Sequence, residues 1–342
     1  AFGLDVTNPA DQGILRAPVT SAAAQRFRNQ LPYASFPGDA TVAQALRPFP
    51  QFNSINALWS PVGRTWYDSL QMKATKRLSR GLTLTSVFTW QRNLLSGSPS
   101  NPVVPGTGGV AVNDVFNRKL NKALSPFDQP FVFNIAASYT VPHFIKGGNA
   151  GVKAASWIAR DWTLNVFMAY ASGLPILAPT SQNNLNNLLL RNNAGANTGY
   201  ANRVPGQPLF LQDPNCNCYD PNKEFLLNPA AWADPPAGTF GNSAAYYNDY
   251  RYQRRPQENV GIGRIFRLGS EGRMNFNIRA EWTNIFNRAF IPNPSATNVS
   301  NARLAQLRTA GVPASGFGFL ATNVAPTIPT SRQGQLVGRF TF

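Results

Sequence analysis

The sequence predicts an all-β protein whose strands cross a membrane as part of an antiparallel barrel, and three observations support this prediction. Charged residues make up 13% of the 342 residues, whereas glycine and proline number 27 and 28, which is typical of turns and long loops. Apolar and polar residues alternate in seven segments of about 9 to 14 residues, the length at which a tilted strand crosses a bilayer. No segment approaches roughly 18 uncharged apolar residues, so a transmembrane helix is not expected.

The seven predicted strands each have one apolar and one polar side. They cover residues 64–78, 82–91, 128–141, 160–172, 257–268, 273–283 and the C-terminal residues up to 342. Tight turns at 79–81 and 269–272 end the first and fifth strands and begin the next ones. Because a barrel strand places alternate side chains in lipid and in a polar lumen, the apolar sides are expected to face lipid. They comprise, strand by strand, Trp66, Leu70, Met72, Ala74 and Leu78; Leu82, Leu84, Phe88 and Trp90; Phe131, Phe133, Ile135, Ala137 and Tyr139; Trp162, Leu164, Val166, Met168 and Tyr170; Val260, Ile262, Phe266 and Leu268; Met274, Phe276, Ile278, Ala280 and Trp282; and Leu336, Phe340 and Phe342.

Lys76 and Arg264 are charged residues on the apolar sides. Lys76 lies two positions from the end of its strand, where a long side chain can reach the headgroups. Arg264 lies four positions from its strand end and fits the pattern less well.

The lengths of the connections predict which end of each strand lies outside the cell. If Phe342 lies in the periplasm, the turns at 79–81 and 269–272 and the segment 142–159 are periplasmic, while the long connections 92–127, 173–256 and 284–330 are extracellular. Short periplasmic turns and long external loops are typical of outer-membrane barrels. Aromatic residues on the apolar sides lie near both ends of the predicted strands, at the two membrane–water interfaces. Two such aromatic belts are expected of a barrel in a bilayer.

Seven strands do not close a barrel, because single-chain bacterial barrels have an even number of strands and at least about eight. Unpaired backbone groups at an open edge in lipid would each cost several kcal/mol. Further strands are therefore expected, either before residue 1 or in another chain. Residues 1–63 are interpreted as an extracellular loop region with a short hairpin at 54–66, and residues 64–342 as the C-terminal strands and loops of the barrel.

Several segments resemble the C-terminal part of TonB-dependent outer-membrane receptors of the acidobacterial type that carry a carboxypeptidase-regulatory-like N-terminal domain. The resemblance rests on Trp282-Thr-Asn-Ile-Phe-Asn287, on Leu-Asn-Pro-Ala-Ala-Trp at 227–232, on Gly-Thr-Phe-Gly-Asn at 238–242, on residues 42–52, 66–79, 81–85, 160–163 and 172–175, and on the ending 333–342. It implies a barrel of about twenty-two strands with a plug domain and a TonB box. This chain would be roughly its last third, and no plug or TonB box is recognised within the 342 residues.

The chain ends on an aromatic residue of the apolar side. Phe340 and Phe342 resemble the ending that serves as an assembly signal in such barrels, which implies the barrel-assembly machinery as a partner. TonB, the plug domain and the remaining strands are further implied partners.

An aromatic and basic run in the longest loop is the candidate ligand-binding site. Tyrosine rings stack on sugars or aromatic ligands, and arginine forks bind carboxylate or phosphate. The alternative is an extended hairpin whose rings pack on neighbouring loops. The run comprises Tyr246, Tyr247, Tyr250, Arg251, Tyr252, Arg254 and Arg255.

Other candidate residues carry less specific signals. Arg279 and Glu281 are predicted to face the lumen, where they would bond a plug, neighbouring strands or a substrate. Cys216 and Cys218 lie in the longest loop, and an oxidising exterior favours a disulfide over free thiols or metal binding. The only histidine, His143, lies in a predicted periplasmic turn, and no catalytic constellation or cofactor motif is recognised.

The net charge of +16 is spread along the chain rather than clustered on a helix or a nucleic-acid motif. Outer-membrane lipid and an anionic lipopolysaccharide surface are therefore the expected partners, and nucleic acid is not. Three functions remain open: an energised uptake receptor for a scarce solute, a structural or adhesive surface protein, and a passive porin. An enzyme is not expected, and the sequence does not identify the solute.

Overall fold

The computed structural model describes residues 2–52, 63–96, 114, 117–142, 149–181, 199–216, 218–220, 224–236, 238–268, 274–296, 299, 316–320 and 331–342. Most of the predicted hairpin at 54–66, His143 and the predicted turn at 269–272 lie outside these residues.

One antiparallel sheet contains all seven predicted strands, so the predicted fold class is confirmed. Its strands, in spatial order, are β1 (Arg64–Ser79), β2 (Leu82–Ser96), β4 (Phe131–Thr140), β5 (Trp162–Ala171), β10 (Gln257–Leu268), β11 (Met274–Thr283) and β12 (Gln333–Thr341). The short strand β3 (Lys122–Leu124) pairs with the end of β2. Each long strand pairs with the next long strand along the chain, which is the topology of an up-and-down barrel wall.

Shorter elements lie in the connections and in the N-terminal segment. The strands are β6 (Pro175–Leu177), β7 (Asn202–Arg203), β8 (Trp232–Ala233) and β9 (Tyr246–Arg251), which pair as β6–β9 and β7–β8. The helices are α1 (Pro9–Arg16), α2 (Val42–Ala45) and α3 (Ala150–Ala159), with 3-10 turns at Ala22–Gln30, Arg118–Asn121 and Pro229–Ala231. No helix in the described ranges is both long enough and apolar enough to span a membrane.

The pairing register aligns the apolar residues of neighbouring strands on one side of the sheet. Val166, for example, lies opposite Ala137 on β4 and Val260 on β10. A shift of one residue would move every apolar side chain to the other side, so this register gives one continuous apolar face and one polar face. Leu164 on the apolar face is 40% exposed. No apolar side chain in the described parts of the seven long strands is buried, which excludes a two-sheet core over this face.

The sheet has two unlike ends. At one end, the short-turn end, β1 passes directly into β2 and a segment containing α3 joins β4 to β5. At the other, the long-loop end, lie the connections that precede β4, β10 and β12. Gly81 makes the β1–β2 turn possible because its φ is +83° and a Cβ there would lie 2.1 Å from the carbonyl oxygen of Thr140.

The sheet is open. In the part of the chain that the structure describes, β1 pairs only with β2, and β12 pairs only with β11. The molecule therefore has the form of an incomplete barrel.

Two buried apolar clusters lie outside the sheet. The first belongs to the N-terminal segment, where α1, α2 and the 3-10 turn between them pack around Val19, Phe27 and Val42. The second belongs to the long-loop end and contains Ile176, Leu227, Trp232, Tyr250 and Phe317. These packed cores show that the N-terminal segment and the connections fold, although their sequences lack a regular alternation of apolar and polar residues.

Helix α3 explains how the apolar face accommodates Arg264. The Arg264 guanidinium lies over the rings of Phe266 at 4.5 Å and of Trp157 on α3 at 4.7 Å. It also donates to the carbonyl oxygen of Trp157, and only 7% of Arg264 is exposed. Cation–π contacts and the helix cover thus remove this charge from the surface of the apolar face.

Candidate functional site

The connections at the long-loop end fold into a unit that we call the loop cap: β6, the described residues of 199–252, and residues 316–320. Its core combines aromatic rings with aliphatic side chains. Tyr250 is fully buried, and its ring lies 5.4 Å from that of Trp232 and 5.5 Å from that of Phe210. β9 pairs with β6, and this pairing places the predicted tyrosine run beside the first residues of the same connection.

Most tyrosines of the predicted run make contacts within the loop cap. The Tyr247 hydroxyl lies 2.8 Å from the Ser243 hydroxyl and accepts a hydrogen bond from the amide of Ala244 at 3.1 Å. Burial raises the pKa of Tyr246 to about 12 and raises the pKa of Tyr250 and Tyr252 as well. These rings therefore stay neutral at physiological pH and contribute packing and hydroxyl groups rather than negative charge.

Arg251 joins the loop cap to the sheet. Its Nη2 donates to Oδ2 of Asp128 at 2.6 Å, and its Nη1 donates to the carbonyl oxygens of Asp128 at 2.7 Å and Gly173 at 3.1 Å. The other oxygen of Asp128 accepts from the amide of Asn93 on β2 at 2.7 Å. Only 1% of the Asp128 side chain and 13% of the Arg251 side chain are exposed, so the ion pair is buried at the junction.

The last two arginines of the predicted run lie apart from this junction. Arg254 is exposed, and its amide and Nε donate to Oδ1 of Asn215 at 3.0 and 3.2 Å. Arg255 donates through Nη2 to Oδ1 of Asn293 at 2.9 Å and to the carbonyl oxygen of Ile291 at 3.2 Å. The structure thus does not bring all seven predicted residues together.

A cleft of about 1080 Å³ lies between the loop cap and the long-loop end of β1, β2 and β4. Tyr246, Tyr247 and Arg251 line it from the cap side. The sheet contributes side chains from the long-loop end of its apolar face, together with charges of both signs: Leu70, Trp90, Phe131, Asp68, Arg92 and Lys122. A concave surface with apolar walls and a few charged groups can hold a small polar solute that also carries rings or apolar parts.

On the polar face, Arg279 and Glu281 form an ion pair on β11. Nε of Arg279 lies 3.0 Å from Oε1 of Glu281, and Nε2 of Gln335 on β12 donates to Oε2 of Glu281 at 2.6 Å. The residues opposite on β10 are Gly261 and Gly263, so no side chain there covers the pair. The pair is half exposed and available to any group that approaches the polar face.

Sequence reasoning missed a further charge on the apolar side of β10. Glu258 follows the same alternation as Val260, yet only 1% of it is exposed. Its carboxylate accepts from Nε of Arg288 at 2.7 Å, from Nη2 of Arg288 at 2.9 Å and from the Tyr170 hydroxyl at 3.0 Å. Two sequence features could have indicated this ion pair: a glutamate on the apolar side of β10 and an arginine five residues after β11.

Cys216 and Cys218 form a disulfide in the loop cap. They follow Asn215, the residue that accepts the hydrogen bonds of Arg254. The described residues contain no group of three or more His, Cys, Asp and Glu side chains that is arranged to hold a metal ion.

The C-terminal strand β12 exposes its apolar residues. Leu336 is 77% exposed and Phe342 is 95% exposed, while Phe340 lies opposite Phe276 on β11. The rings of Phe340 and Phe342 are 6.3 Å apart. The last strand therefore extends the apolar face to the edge of the sheet.

An antiparallel sheet with one exposed apolar face, one polar face and folded connections at one end defines the wall of a membrane β-barrel. The family model described as outer membrane beta barrel domain matches residues 19–335. The chain therefore belongs to this family and is a protein of the bacterial outer membrane, whose lipids contact the apolar face. A comparison with curated proteins found no match.

Proposed function

We propose that this chain forms the C-terminal wall and surface loops of a TonB-dependent receptor that captures a scarce solute and imports it across the outer membrane. The observation that carries the proposal is the cleft of about 1080 Å³ beneath a folded loop cap, where the apolar side of β1, β2 and β4 leaves the membrane at the long-loop end. Aromatic walls and charges of both signs suit the capture of a polar solute. The sequence segments that resemble such receptors support the dependence on TonB.

The proposal includes the orientation and the partners of the chain. The long-loop end lies outside the cell and the C-terminus in the periplasm, as in other barrels with short periplasmic turns. The remaining strands complete the barrel, and a plug domain fills its lumen and contacts TonB. Arg279 and Glu281 face that lumen, where their half-exposed side chains are available to the plug.

The orientation predicts opposite labelling of cysteines placed at the two ends. Gln207 is exposed in the loop cap, and Lys153 is exposed on α3. In a Cys216→Ser, Cys218→Ser background, we expect Gln207→Cys to react with a membrane-impermeant maleimide on intact cells. Lys153→Cys should react only after the outer membrane is permeabilised. The reverse pattern would contradict the orientation.

The function is tested by uptake of a labelled panel of iron chelates, corrinoids, oligopeptides and oligosaccharides in cells with and without the gene. We expect deletion to abolish uptake of one class, and removal of TonB or of the proton gradient to abolish it equally. The double variant Arg92→Gln, Lys122→Gln removes two cations from the cleft and should reduce uptake of that solute. The control Arg80→Gln, Lys153→Gln removes two cations at the short-turn end and should not.

Each alternative function gives a different result in the same cells. Uptake that persists without TonB identifies a passive porin. Uptake that is unchanged by deletion, together with lost attachment or altered surface architecture, identifies a structural or adhesive protein. Either outcome would overturn the proposed receptor.

Deleting Phe342 is predicted to impair assembly of the protein into the outer membrane. The residue is 95% exposed at the end of the last strand, so its loss removes no packed core and a stability defect alone is not expected. We expect a severalfold lower yield of folded, heat-modifiable protein in outer-membrane fractions. Phe342→Tyr keeps an aromatic ring and should assemble normally. Normal insertion of the truncated protein would count against the assembly signal.

A further inference from the structure

A second concave region, which we call the wall trough, lies on the polar face near the long-loop end. It has a volume of about 540 Å³, which is within the range of small-molecule sites. Four neighbouring strands each contribute two polar-side residues and the apolar-side residue between them, at 165–167, 259–261, 281–283 and 333–335. Because successive side chains alternate between the two faces, the flanking polar-side residues surround the trough.

The pairing register arranges these residues in two rows across the sheet. In the first row, Gly261 on β10 lies between Asn165 on β5 and Glu281 on β11. Gln335 on β12 continues this row beyond Glu281. Gly261 has no side chain, and a Cβ there would lie only 3.4 Å from Cγ of Glu281. The floor of the trough therefore stays open at this glycine.

The second row brings an aromatic ring to the polar face. Phe167 on β5 lies opposite Asn259 on β10 and is 43% exposed, although it follows the polar side of its strand. Its partner on the other side is the small residue Ala136 on β4. Farther along the trough, Thr283 on β11 lies opposite Gln333 on β12. The ring of Phe167 faces the lumen rather than lipid, so an occupant of the trough can cover it.

The wall trough carries no unbalanced charge. Among the described residues that line it, only Glu281 is charged. Its carboxylate lies 3.0 Å from Nε of Arg279 and accepts from Nε2 of Gln335 at 2.6 Å. The carboxamides of Asn165 and Gln333 also line the trough, and within the described ranges their side chains make no hydrogen bond to another residue. They can both donate and accept hydrogen bonds.

These features favour a neutral ligand that is rich in hydroxyl groups. A sugar hydroxyl donates and accepts hydrogen bonds, as a carboxamide does, and the apolar side of a sugar ring can stack on an aromatic ring. A phosphate or carboxylate group gains less, because Arg279 is already bound to Glu281. An extended peptide also gains less, because β5, β10 and β11 are paired on both sides and offer no free edge for main-chain hydrogen bonds.

The dimensions of the trough indicate the length of the occupant. From β5 to β12 it spans three strand spacings, which is about 14 Å. One sugar ring is too short to contact both Phe167 on β5 and Gln333 on β12. A chain of several sugar units can do so.

We propose that the wall trough binds a neutral oligosaccharide, with one sugar ring on Phe167 and hydroxyl groups on the carboxamides of Asn165 and Gln333. This inference names the solute class of the proposed receptor and therefore rests on the proposed function. Binding itself does not require TonB and can be measured on the purified protein.

Isothermal titration calorimetry of the protein purified from outer membranes tests the proposal. The neutral probes are maltohexaose, cellohexaose and xylohexaose, and the comparison probes are hexagalacturonate and the peptide (Ser-Gly)3. We expect saturable binding of at least one neutral hexasaccharide, and binding of both comparison probes that is at least about tenfold weaker. Failure of all three neutral probes to bind, or tighter binding of either comparison probe, would overturn the proposal.

Two variants locate the binding on the wall. Phe167→Ala should weaken the affinity for the sugar about tenfold, because it removes the stacking surface. The matched control is Tyr67→Ala, since Tyr67 is a 53% exposed aromatic residue on the polar side of β1 that does not line the trough. Equal affinity of wild type and Phe167→Ala, or equal losses in the two variants, would contradict binding at the trough.

Uptake measurements separate this inference from the receptor function. The class of solute whose uptake is lost on gene deletion should be the oligosaccharides. TonB-dependent uptake of iron chelates or corrinoids, without sugar binding, would refute the sugar site and leave the receptor function intact. Sugar binding together with uptake that does not need TonB would refute the receptor function alone.

Discussion

Replacing Asp128 with alanine should release the loop cap from the sheet. Asp128 is 1% exposed, and its carboxylate binds both Arg251 of the cap and the amide of Asn93 on β2. Removing one partner of a buried ion pair leaves the other charge uncompensated, which costs about 3–5 kcal/mol. We expect rapid thermolysin cleavage in the cap and a lower unfolding temperature, while the strands remain inserted in the membrane.

The loop cap contains its own control for this experiment. Asp249 and Arg203 form an ion pair with the same 2.6 Å separation, but their side chains are 57% and 33% exposed. Water screens such a pair, so Asp249→Ala should cost about 1 kcal/mol or less. Asp128→Asn keeps the hydrogen-bond acceptor and loses the charge. Its loss of stability should lie between those of Asp128→Ala and Asp249→Ala. Equal protease sensitivity of Asp128→Ala and Asp249→Ala would mean that the buried pair does not hold the cap.

Placing arginine at Val166 should strongly destabilise the inserted sheet. Val166 lies on the apolar face in the middle of β5, between Trp162 and Tyr170 at the two ends of that strand. An arginine at the midplane of the lipid-facing side of a barrel costs about 2–4 kcal/mol. Denaturant titration of the protein in lipid vesicles measures this free energy, and the yield of folded protein in outer membranes should fall in parallel.

Asn165→Arg is the matched control, one residue earlier on the polar face. Its neighbours across the sheet are Ser138 on β4 and Gly261 on β10. Because this side faces a polar lumen, we expect a change of less than about 1 kcal/mol. If both arginines destabilised the protein equally, the assignment of the two faces would be wrong.

The strands could be predicted because alternation is a local property of the sequence. The fourth predicted segment, 160–172, differs from the observed β5 (Trp162–Ala171) by two residues or fewer at each end. The largest difference occurs in β2, which continues to Ser96 although Arg92 interrupts its apolar side. The extension pairs with the start of β1, where Trp66 lies opposite Leu94, and on its other side with β3, where Leu124 lies opposite Leu94. These contacts form in the folded sheet and leave no periodic signal in the sequence.

The loop cap and the burial of the two charges on the apolar side of β10 could not be predicted for the same reason. Glu258 is neutralised by Arg288, and Arg264 is covered by Trp157, which lies more than one hundred residues earlier in the chain. The core of the cap joins residues as distant as Ile176 and Phe317. The tyrosine run was visible as a group of unusual composition. The tertiary fold decides which of its rings are buried, that Arg251 lies at the junction with the sheet and that Arg254 is exposed.

The apolar band of the sheet is shorter along strand β10. Glu258 and Arg264 are six residues apart on its apolar side, which corresponds to about 15 Å of height for a tilted strand. A typical apolar band is about 25 Å tall. Acyl chains beside β10 therefore contact a shorter apolar stretch of the strand. Trp157 on α3 and Phe286 in the turn after β11 are exposed and supply the remaining apolar height. The match between the apolar band and the bilayer beside β10 therefore depends on these two exposed side chains outside the strand as well as on β10 itself.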